Sequence, residues 1–202
     1  VTLDAWYLDA QDKFDSYTVG AKSSLDLSGI KIGADARYAS LTLDKNVATA
    51  VSANGQAEDK NSLAKLVLTA DAGLVDGKLA YAKTGKDGGL TALDNDATTT
   101  LLGWSLTANN KADADYIQAV LGFDILSNLN LSANYGNVEW TQDTNVTREQ
   151  EEVYAQLLYK MSKNLSTYVR YGTFTDERTT AGTGTTDVND DVRGRLQVEY
   201  TF

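Results

Sequence analysis

Apolar and polar residues alternate along most of the chain with a period of two, the spacing of a β-strand whose two faces meet different surroundings. The last segment shows the pattern most clearly. Its apolar face holds Val192, Gly194, Leu196, Val198, Tyr200 and Phe202, and its other face holds Asp191, Arg193, Arg195, Gln197, Glu199 and Thr201. One face suits lipid and the other suits water. The alternation therefore predicts a strand of a transmembrane β-barrel.

The same alternation predicts ten strands. They cover 1–10, 14–27, 29–43, 62–72, 77–84, 113–125, 129–141, 151–161, 164–175 and 190–202. Most are longer than the five or six residues usual in soluble proteins, and about 9 to 11 residues cross a membrane at a barrel tilt. The predicted fold is an all-β, antiparallel transmembrane barrel, with residues 1–202 as a single barrel region.

The connections between the strands form two groups. Tight turns are predicted near 28–29, 74–77, 127–128 and 162–164, whereas long polar stretches occupy 44–61, 85–112, 142–150 and 176–189. Strand parity places all the tight turns on the side of Phe202, so we expect them to be periplasmic and the long stretches to be external. The stretch at 85–112 is long enough to pack over or into the pore mouth.

The carboxy-terminal alternation also resembles the assembly signal of outer-membrane barrels. The residues that carry this signal are Leu196, Val198, Tyr200 and Phe202. We expect the barrel-assembly machinery to recognise them; an ordinary terminal edge strand is the other interpretation. Aromatic residues near strand ends predict interfacial girdles. The girdle candidates are Tyr38, Tyr135, Trp140, Tyr171, Tyr200 and Phe202.

Three stretches resemble the Campylobacter-type major outer membrane porins, a family of OprD-like porins. They are AYAKTGK at 80–86, LNLSANYG at 129–136 and the end at 191–202. The resemblance implies an eighteen-stranded, trimeric, water-filled barrel with a constriction loop in its amino-terminal half. Ten strands correspond to a little over half of it. We therefore expect that Val1 is not the mature amino terminus and that about eight strands and a signal peptide precede it.

Composition narrows the possible chemistry. The 202 residues include no Pro, Cys or His, and 28 acidic residues outweigh 18 basic ones for a net charge of −10. Without His, neither a Ser-His-Asp triad nor an Asp-His pair can form, and zinc sites of Cys and His are excluded. The acidic balance argues against a nucleic-acid partner. We therefore predict neither an enzyme nor a cofactor, although Asp87, Asp94, Asn95 and Asp96 could bind calcium.

Charged residues on the polar faces of the strands are predicted to line a pore. They are Lys22, Asp26, Lys31, Asp35, Arg37, Lys65, Asp124, Arg170, Arg193, Arg195 and Glu199. The expected function is passive diffusion of ions and small hydrophilic solutes. Acidic residues in the external stretches predict a mild cation preference, since basic and acidic wall residues partly cancel.

Two other classes of protein share part of this pattern. A barrel could act mainly as a surface adhesin or receptor through its external loops, and a soluble β-sandwich binding module would also be depleted in proline. The expected partners of the leading interpretation are outer-membrane lipid, two further copies in a homotrimer, the barrel-assembly machinery, and small solutes and ions. Conductance in a planar bilayer separates the channel from the adhesin.

Overall fold

The computed structural model describes residues 1–52, 59–93, 97–99 and 103–201, which form ten strands and one helix. The strands are β1 Thr2–Ala10, β2 Phe14–Leu27, β3 Ile30–Leu43, β4 Lys60–Asp71, β5 Val75–Thr84, β6 Ala112–Leu126, β7 Leu129–Asp143, β8 Val146–Lys160, β9 Leu165–Thr180 and β10 Gly184–Tyr200; the helix α1 is Lys45–Ser52. No helix among these residues is long and apolar enough to cross a membrane.

The strands form one antiparallel sheet in the order β1 to β10, so each strand pairs with its neighbours in sequence. This up-and-down topology confirms the predicted ten-stranded architecture. Within the described residues, β1 pairs only with β2 and β10 only with β9. The turns at 28–29, 72–74, 127–128 and 161–164 lie at one end of the sheet, here the turn end. The remaining connections lie at the other end, here the loop end.

Two predicted loops were wrong. Residues 142–150 and 176–189 belong mostly to strands, because β7 and β8 join at 144–145 and β9 and β10 join at 181–183. Both hairpins are rich in Thr, a β-branched residue that favours extended backbone. At the loop end both faces are polar, so alternation disappears from the sequence while the backbone ladder continues. Gly182 and Gly184 have φ of 81° and 99°, which suits the turn.

The sequence pattern does not predict the helix α1, which lies in the predicted polar stretch 44–61. Asp44 caps it, since the Asp44 carboxylate accepts the Asn46 N–H at 3.0 Å. The helix contributes Ala48 to a small buried cluster with Leu41 and Leu43 of β3. A single turn or two of helix carries too few apolar residues to produce a clear 3.6-residue period, which is why the pattern did not reveal it.

The outward face of the sheet is apolar and carries a row of tyrosines. This tyrosine row consists of Tyr7, Tyr17, Tyr38, Tyr81, Tyr135 and Tyr171, all of them exposed. Beyond the row, towards the loop end, the outward positions become polar, for example Asp15, Lys83 and Asn137. Between Tyr17 and Leu27, β2 rises about 25 Å at the usual strand rise and a tilt of about 40°. This matches the apolar band of outer-membrane barrels, about 25 Å tall.

The predicted girdle is only partly correct. Tyr38, Tyr135 and Tyr171 lie in the tyrosine row, and Tyr200 is exposed at the turn end. Trp140 does not face outward: its side chain is buried on the opposite face, where it packs in the main hydrophobic cluster. The error has a simple cause. Trp140 occupies an inward position of β7, and the loop that covers it there supplies apolar contacts that the strand pattern cannot show. Phe202 lies outside the described residues.

Candidate functional site

The inward face is the side of the sheet opposite the tyrosine row, and it holds every predicted pore-lining residue. Strand register places them together: Lys22 pairs with Asp35, Asp26 with Lys31, and Arg37 with Lys65. The others are Asp124 opposite Asn130, Arg170 opposite Arg195, Glu199 opposite Ser166, and Arg193 opposite Gly172. Each lies on the polar side that the alternation assigned to it. Their lining of a water-filled pore stays a prediction.

Residues 85–111, here the inward loop, connect β5 to β6, and the described part of this loop folds across the inward face. The base of the loop is joined to the sheet by backbone hydrogen bonds: Gly85 N–H donates to the Ser62 carbonyl at 2.9 Å, and Asp113 N–H donates to the Gly85 carbonyl at 2.8 Å. Thr84 adds a third link, because its hydroxyl donates to the Lys111 carbonyl and accepts the Ala114 N–H, both at 2.7 Å. The described part of this stretch packs on the inward face, and its place at a pore mouth stays a prediction.

A hydrophobic cluster fixes the loop to the strands. Leu106 and Ala108 of the loop are each 1% exposed. Their partners in the cluster are Leu63, Ala80, Ala82, Ala114, Tyr116, Val138, Trp140 and Phe174. Apolar area removed from water stabilises such a contact by roughly 25 cal/mol per Å². The inward loop therefore packs directly against the inward face of the strands and does not bridge an open space there.

Two predicted pore-lining residues are covered by the loop. Arg37 is 4% exposed; it forms two hydrogen bonds to the Asp4 carboxylate, at 2.8 and 3.1 Å, and donates to the Ala97 carbonyl at 3.0 Å. Lys65 donates to the Thr98 carbonyl. Arg37 also approaches Asp35 at 3.0 Å. Both cations therefore hold the loop against β3 and β4, a role that the sequence pattern did not indicate because it requires the loop to be in place.

The opposite side of the loop contacts β8 and β10. Glu152 of β8 accepts the Trp104 N–H at 2.7 Å and the Ser105 N–H at 2.8 Å. Arg193 of β10 donates to the Ser105 hydroxyl at 3.1 Å, and the Arg195 guanidinium lies 5.7 Å from the Trp104 ring centre. The loop thus spans the inward face from β3 to β10.

A second set of charged and aromatic side chains lies at the loop end of the inward face. Arg148 pairs with Asp176 through two hydrogen bonds of 2.8 Å, and Lys111 lies 4.7 Å from the Trp140 ring centre. Burial lowers the pKa of Lys111, while the nearby Asp176 carboxylate opposes this shift and Arg148 adds to it. The sequence pattern placed Asp176 in an external acidic stretch and assigned no role to Arg148 or Glu152. Glu152 lies on the inward side of the predicted strand 151–161, and the same alternation continued back to residue 148 and from 175 to 176 puts Arg148 and Asp176 on that side too.

Towards the turn end the loop leaves an open polar cavity of about 530 Å³ on the inward face. Its lining includes Gln118, Asn134, Tyr154, Gln156 and Arg170. Arg170 donates to Gln156 at 2.5 Å and lies 4.5 Å from the ring centre of Tyr168. Hydroxyl, amide and guanidinium groups in an open cavity can hydrogen-bond water and passing polar solutes.

Three of the four residues of the predicted assembly signal have the expected outward orientation. Leu196, Val198 and Tyr200 face outward on β10, with 71%, 64% and 62% of their surface exposed, whereas Phe202 lies outside the described residues. The assembly role stays a prediction. So does calcium binding, since Asp94, Asn95 and Asp96 also lie outside them. Over the part of the chain that the structure describes, no group of three or more metal-binding side chains is placed to hold an ion.

Comparison with known proteins identifies the class of fold. No family model matches the sequence, and no curated protein sequence matches it. Among solved structures, the chain is similar to Pseudomonas aeruginosa OccK2 (OpdF), with a TM-score of 0.71 at 15% identity over 98% of this chain and 53% of that one. Pseudomonas aeruginosa OpdL gives 0.71 at 19% identity over 98% and 54%. Acinetobacter baumannii OccAB2 gives 0.71 at 15% identity over 99% and 51%.

These neighbours are OprD-like outer-membrane porins, and the chain has their β-barrel fold. The likeness does not support the narrower Campylobacter-type resemblance. The chain spans about half the length of the solved structures it matches. Ten strands in an open sheet therefore correspond to part of a larger barrel wall in those structures.

Proposed function

We propose that the chain forms part of the wall of an integral outer-membrane channel for the passive diffusion of ions and small hydrophilic solutes. The observation that carries the proposal is the inward loop, which packs across a polar face and leaves an open polar cavity beside it. Such an arrangement narrows a barrel without closing it. The outward apolar band with its tyrosine row supports the membrane location. The proposal includes no bond chemistry and no cofactor.

A mild cation preference is part of this proposal. Its support is the net charge of −10 and the external acidic residues that accompany it. Several wall cations are already neutralised, as in the Arg37–Asp4 and Arg148–Asp176 pairs. Arg170 and Arg195 form no salt bridge to a described residue and act against the preference. At about 0.15 M salt, screening over about 8 Å weakens the acidic mouth, so the preference strengthens as salt is lowered.

The proposed partners are outer-membrane lipid along the apolar band, two further copies in a trimer, and the barrel-assembly machinery at Leu196, Val198 and Tyr200. Chemical cross-linking of the protein in native membranes tests the trimer. A variant lacking residues 200–202 tests the assembly signal. It should not form a heat-modifiable barrel, that is, a folded barrel whose electrophoretic mobility changes on heating. A variant altered only at the 144–145 turn should still form one.

Planar-bilayer recording of the full-length protein tests the channel. We expect stepwise conductance that rises with salt concentration, and a reversal potential across a potassium chloride gradient that shows a small excess of cation flux. Protein that inserts as a heat-modifiable barrel yet gives no conductance steps would contradict the proposal. In that case the surface-receptor alternative gains support from the β7–β8 and β9–β10 hairpins, which extend beyond the tyrosine row.

A further inference from the structure

Glu152 is a buried carboxylate whose hydrogen-bond partners belong to the inward loop. Its side chain is 2% exposed on β8, and no lysine or arginine of the described chain lies within salt-bridge distance of it. Its two oxygens instead accept successive backbone N–H groups, those of Trp104 at 2.7 Å and Ser105 at 2.8 Å. A buried charge is costly unless it is compensated, and these two bonds stabilise the carboxylate together with the nearby positive charges of Arg170 and Arg193.

The loop is shaped to receive this carboxylate. A Cβ atom on Gly103 would lie 2.0 Å from a Glu152 oxygen, so only glycine leaves room for the side chain in its present position. The Gly103 N–H donates to the Leu106 carbonyl at 3.0 Å, which turns the next two N–H groups towards β8. We call the unit formed by residues 103–105 and Glu152 the loop clasp.

The loop clasp also positions two cations of β10. Ser105 accepts a hydrogen bond from Arg193 at 3.1 Å, and the Trp104 ring lies 5.7 Å from the Arg195 guanidinium and 5.4 Å from the Tyr154 ring. Ser105 is exposed on the inward face, so it stands at the edge of the loop that faces the passage. A displacement of residues 103–105 therefore moves the edge of the loop and removes its contacts with both arginines, while Arg193 keeps its 3.1 Å bond to Asp191.

We propose that Glu152 is a positioning residue for the channel: by holding Trp104 and Ser105 it fixes the passage-facing edge of the inward loop, and with it the width of the passage and the positions of Arg193 and Arg195. This inference rests on the proposed channel function. It assigns Glu152 a role in permeation although the side chain itself is buried and does not contact solute.

Three single variants of the full-length protein test the loop clasp. Glu152→Gln keeps the size and shape of the side chain, but its NH2 group, itself a donor, then faces one of the two backbone N–H donors. Gly103→Ala leaves Glu152 unchanged and displaces its carboxylate from the other side. Glu149→Gln is the matched control, since Glu149 lies on the same strand and accepts a 2.7 Å bond from Asn137 on the outward face. Each variant is first checked for a normal heat-modifiable barrel.

Hydrogen exchange gives a readout that does not depend on conduction. Loss of one charge-assisted hydrogen bond should speed amide exchange at Trp104 and Ser105 by about tenfold to a hundredfold in Glu152→Gln and in Gly103→Ala. In planar bilayers both variants should show noisier and larger single-channel conductance and a shifted reversal potential. The double variant should add little to either single one, because both remove the same contact. Glu149→Gln should match the wild type in every measurement.

The outcomes separate this inference from the channel proposal. A wild type that conducts, together with Glu152→Gln and Gly103→Ala variants of wild-type conductance and exchange, would overturn the role of Glu152 and leave the channel intact. A wild type that inserts without conducting would overturn the channel, even if exchange at Trp104 and Ser105 rises as expected. If Glu152→Gln does not fold, Gly103→Ala decides alone, since it retains the carboxylate.

Discussion

Two polar connections at the loop end follow different paths. The inward loop at 85–111 turns back and packs on the inward face, whereas the β9–β10 hairpin around 181–183 continues straight out of the apolar band. Both are rich in Thr, Asp and Gly. The difference lies in a few apolar residues: the loop carries Leu106 and Ala108, which become buried, while the hairpin places Thr179 against Thr185 at 2.8 Å between exposed hydroxyls.

Composition alone does not decide whether a polar connection packs on the sheet or extends away from it. A polar segment with a small apolar side can lower its free energy by covering apolar wall residues such as Tyr116 and Val138. A segment of β-branched polar residues has nothing to bury, and it satisfies its backbone by pairing with itself. Only the first kind of segment can shape a passage.

The largest effect is expected from removing the part of the loop that crosses the inward face. Replacing residues 91–105 by a short Gly-Ser linker keeps the anchored base and removes the contacts to Arg37, Lys65 and Glu152. Single-channel conductance should rise severalfold, because the wall no longer narrows the passage. Conductance equal to that of the intact protein would show that the loop does not limit flow.

Leu106→Ala should loosen the loop without removing it. Leu106 is 1% exposed in the main cluster, and truncation of a buried leucine costs about 2 to 5 kcal/mol. We expect rapid proteolysis within residues 85–111 while the barrel stays heat-modifiable. Leu93→Ala is the control, since Leu93 is 45% exposed and its truncation should cost less than about 0.5 kcal/mol. Equal protease resistance in the two variants would mean that the cluster does not hold the loop.

The sequence pattern predicts features set by the surroundings of each strand, but not those that depend on contacts between distant residues. Alternation located the ten strands because lipid and water impose opposite demands on neighbouring residues, and it placed Arg170, Arg193 and Arg195 on the inward face. It could not show that Arg37 is covered by the loop, since that depends on a contact with Ala97, sixty positions away in the chain. Nor did it indicate Glu152, whose role exists only when Trp104 and Ser105 stand opposite it.

Thr84→Val should have a smaller effect on the passage, because it loosens only the base of the loop. The Thr84 hydroxyl joins the Lys111 carbonyl to the Ala114 N–H, and leaving two buried backbone groups unsatisfied costs about 1 to 3 kcal/mol each. Amide exchange at Ala114 should accelerate with little change in conductance. Thr179→Val provides the comparison, because its hydroxyl bonds only in an exposed hairpin and its loss should leave exchange unchanged. A similar response at both threonines would remove the distinction between loop and hairpin.

The smallest effect is expected from shortening the β9–β10 hairpin. Deleting residues 178–186 and closing β9 to β10 with a two-residue turn removes ladder pairs that lie beyond the tyrosine row. Conductance and ion preference should stay at wild-type values, since no hydrogen bond joins this segment to the described residues of the inward loop. A marked change in either would indicate that the hairpin folds over the mouth in the membrane.

The most direct test of the account places a single thiol on each kind of segment. The chain contains no cysteine, so Ser105→Cys on the inward loop and Thr183→Cys on the hairpin tip each give one reactive site. A membrane-impermeant, bulky thiol reagent is added while single channels conduct, and the current is followed. We expect a stepwise fall in current through the Ser105→Cys channel and no change through the Thr183→Cys channel, with labelling of both confirmed by mass. Labelled Ser105→Cys channels that conduct like unlabelled ones would show that the inward loop does not form the wall of the passage.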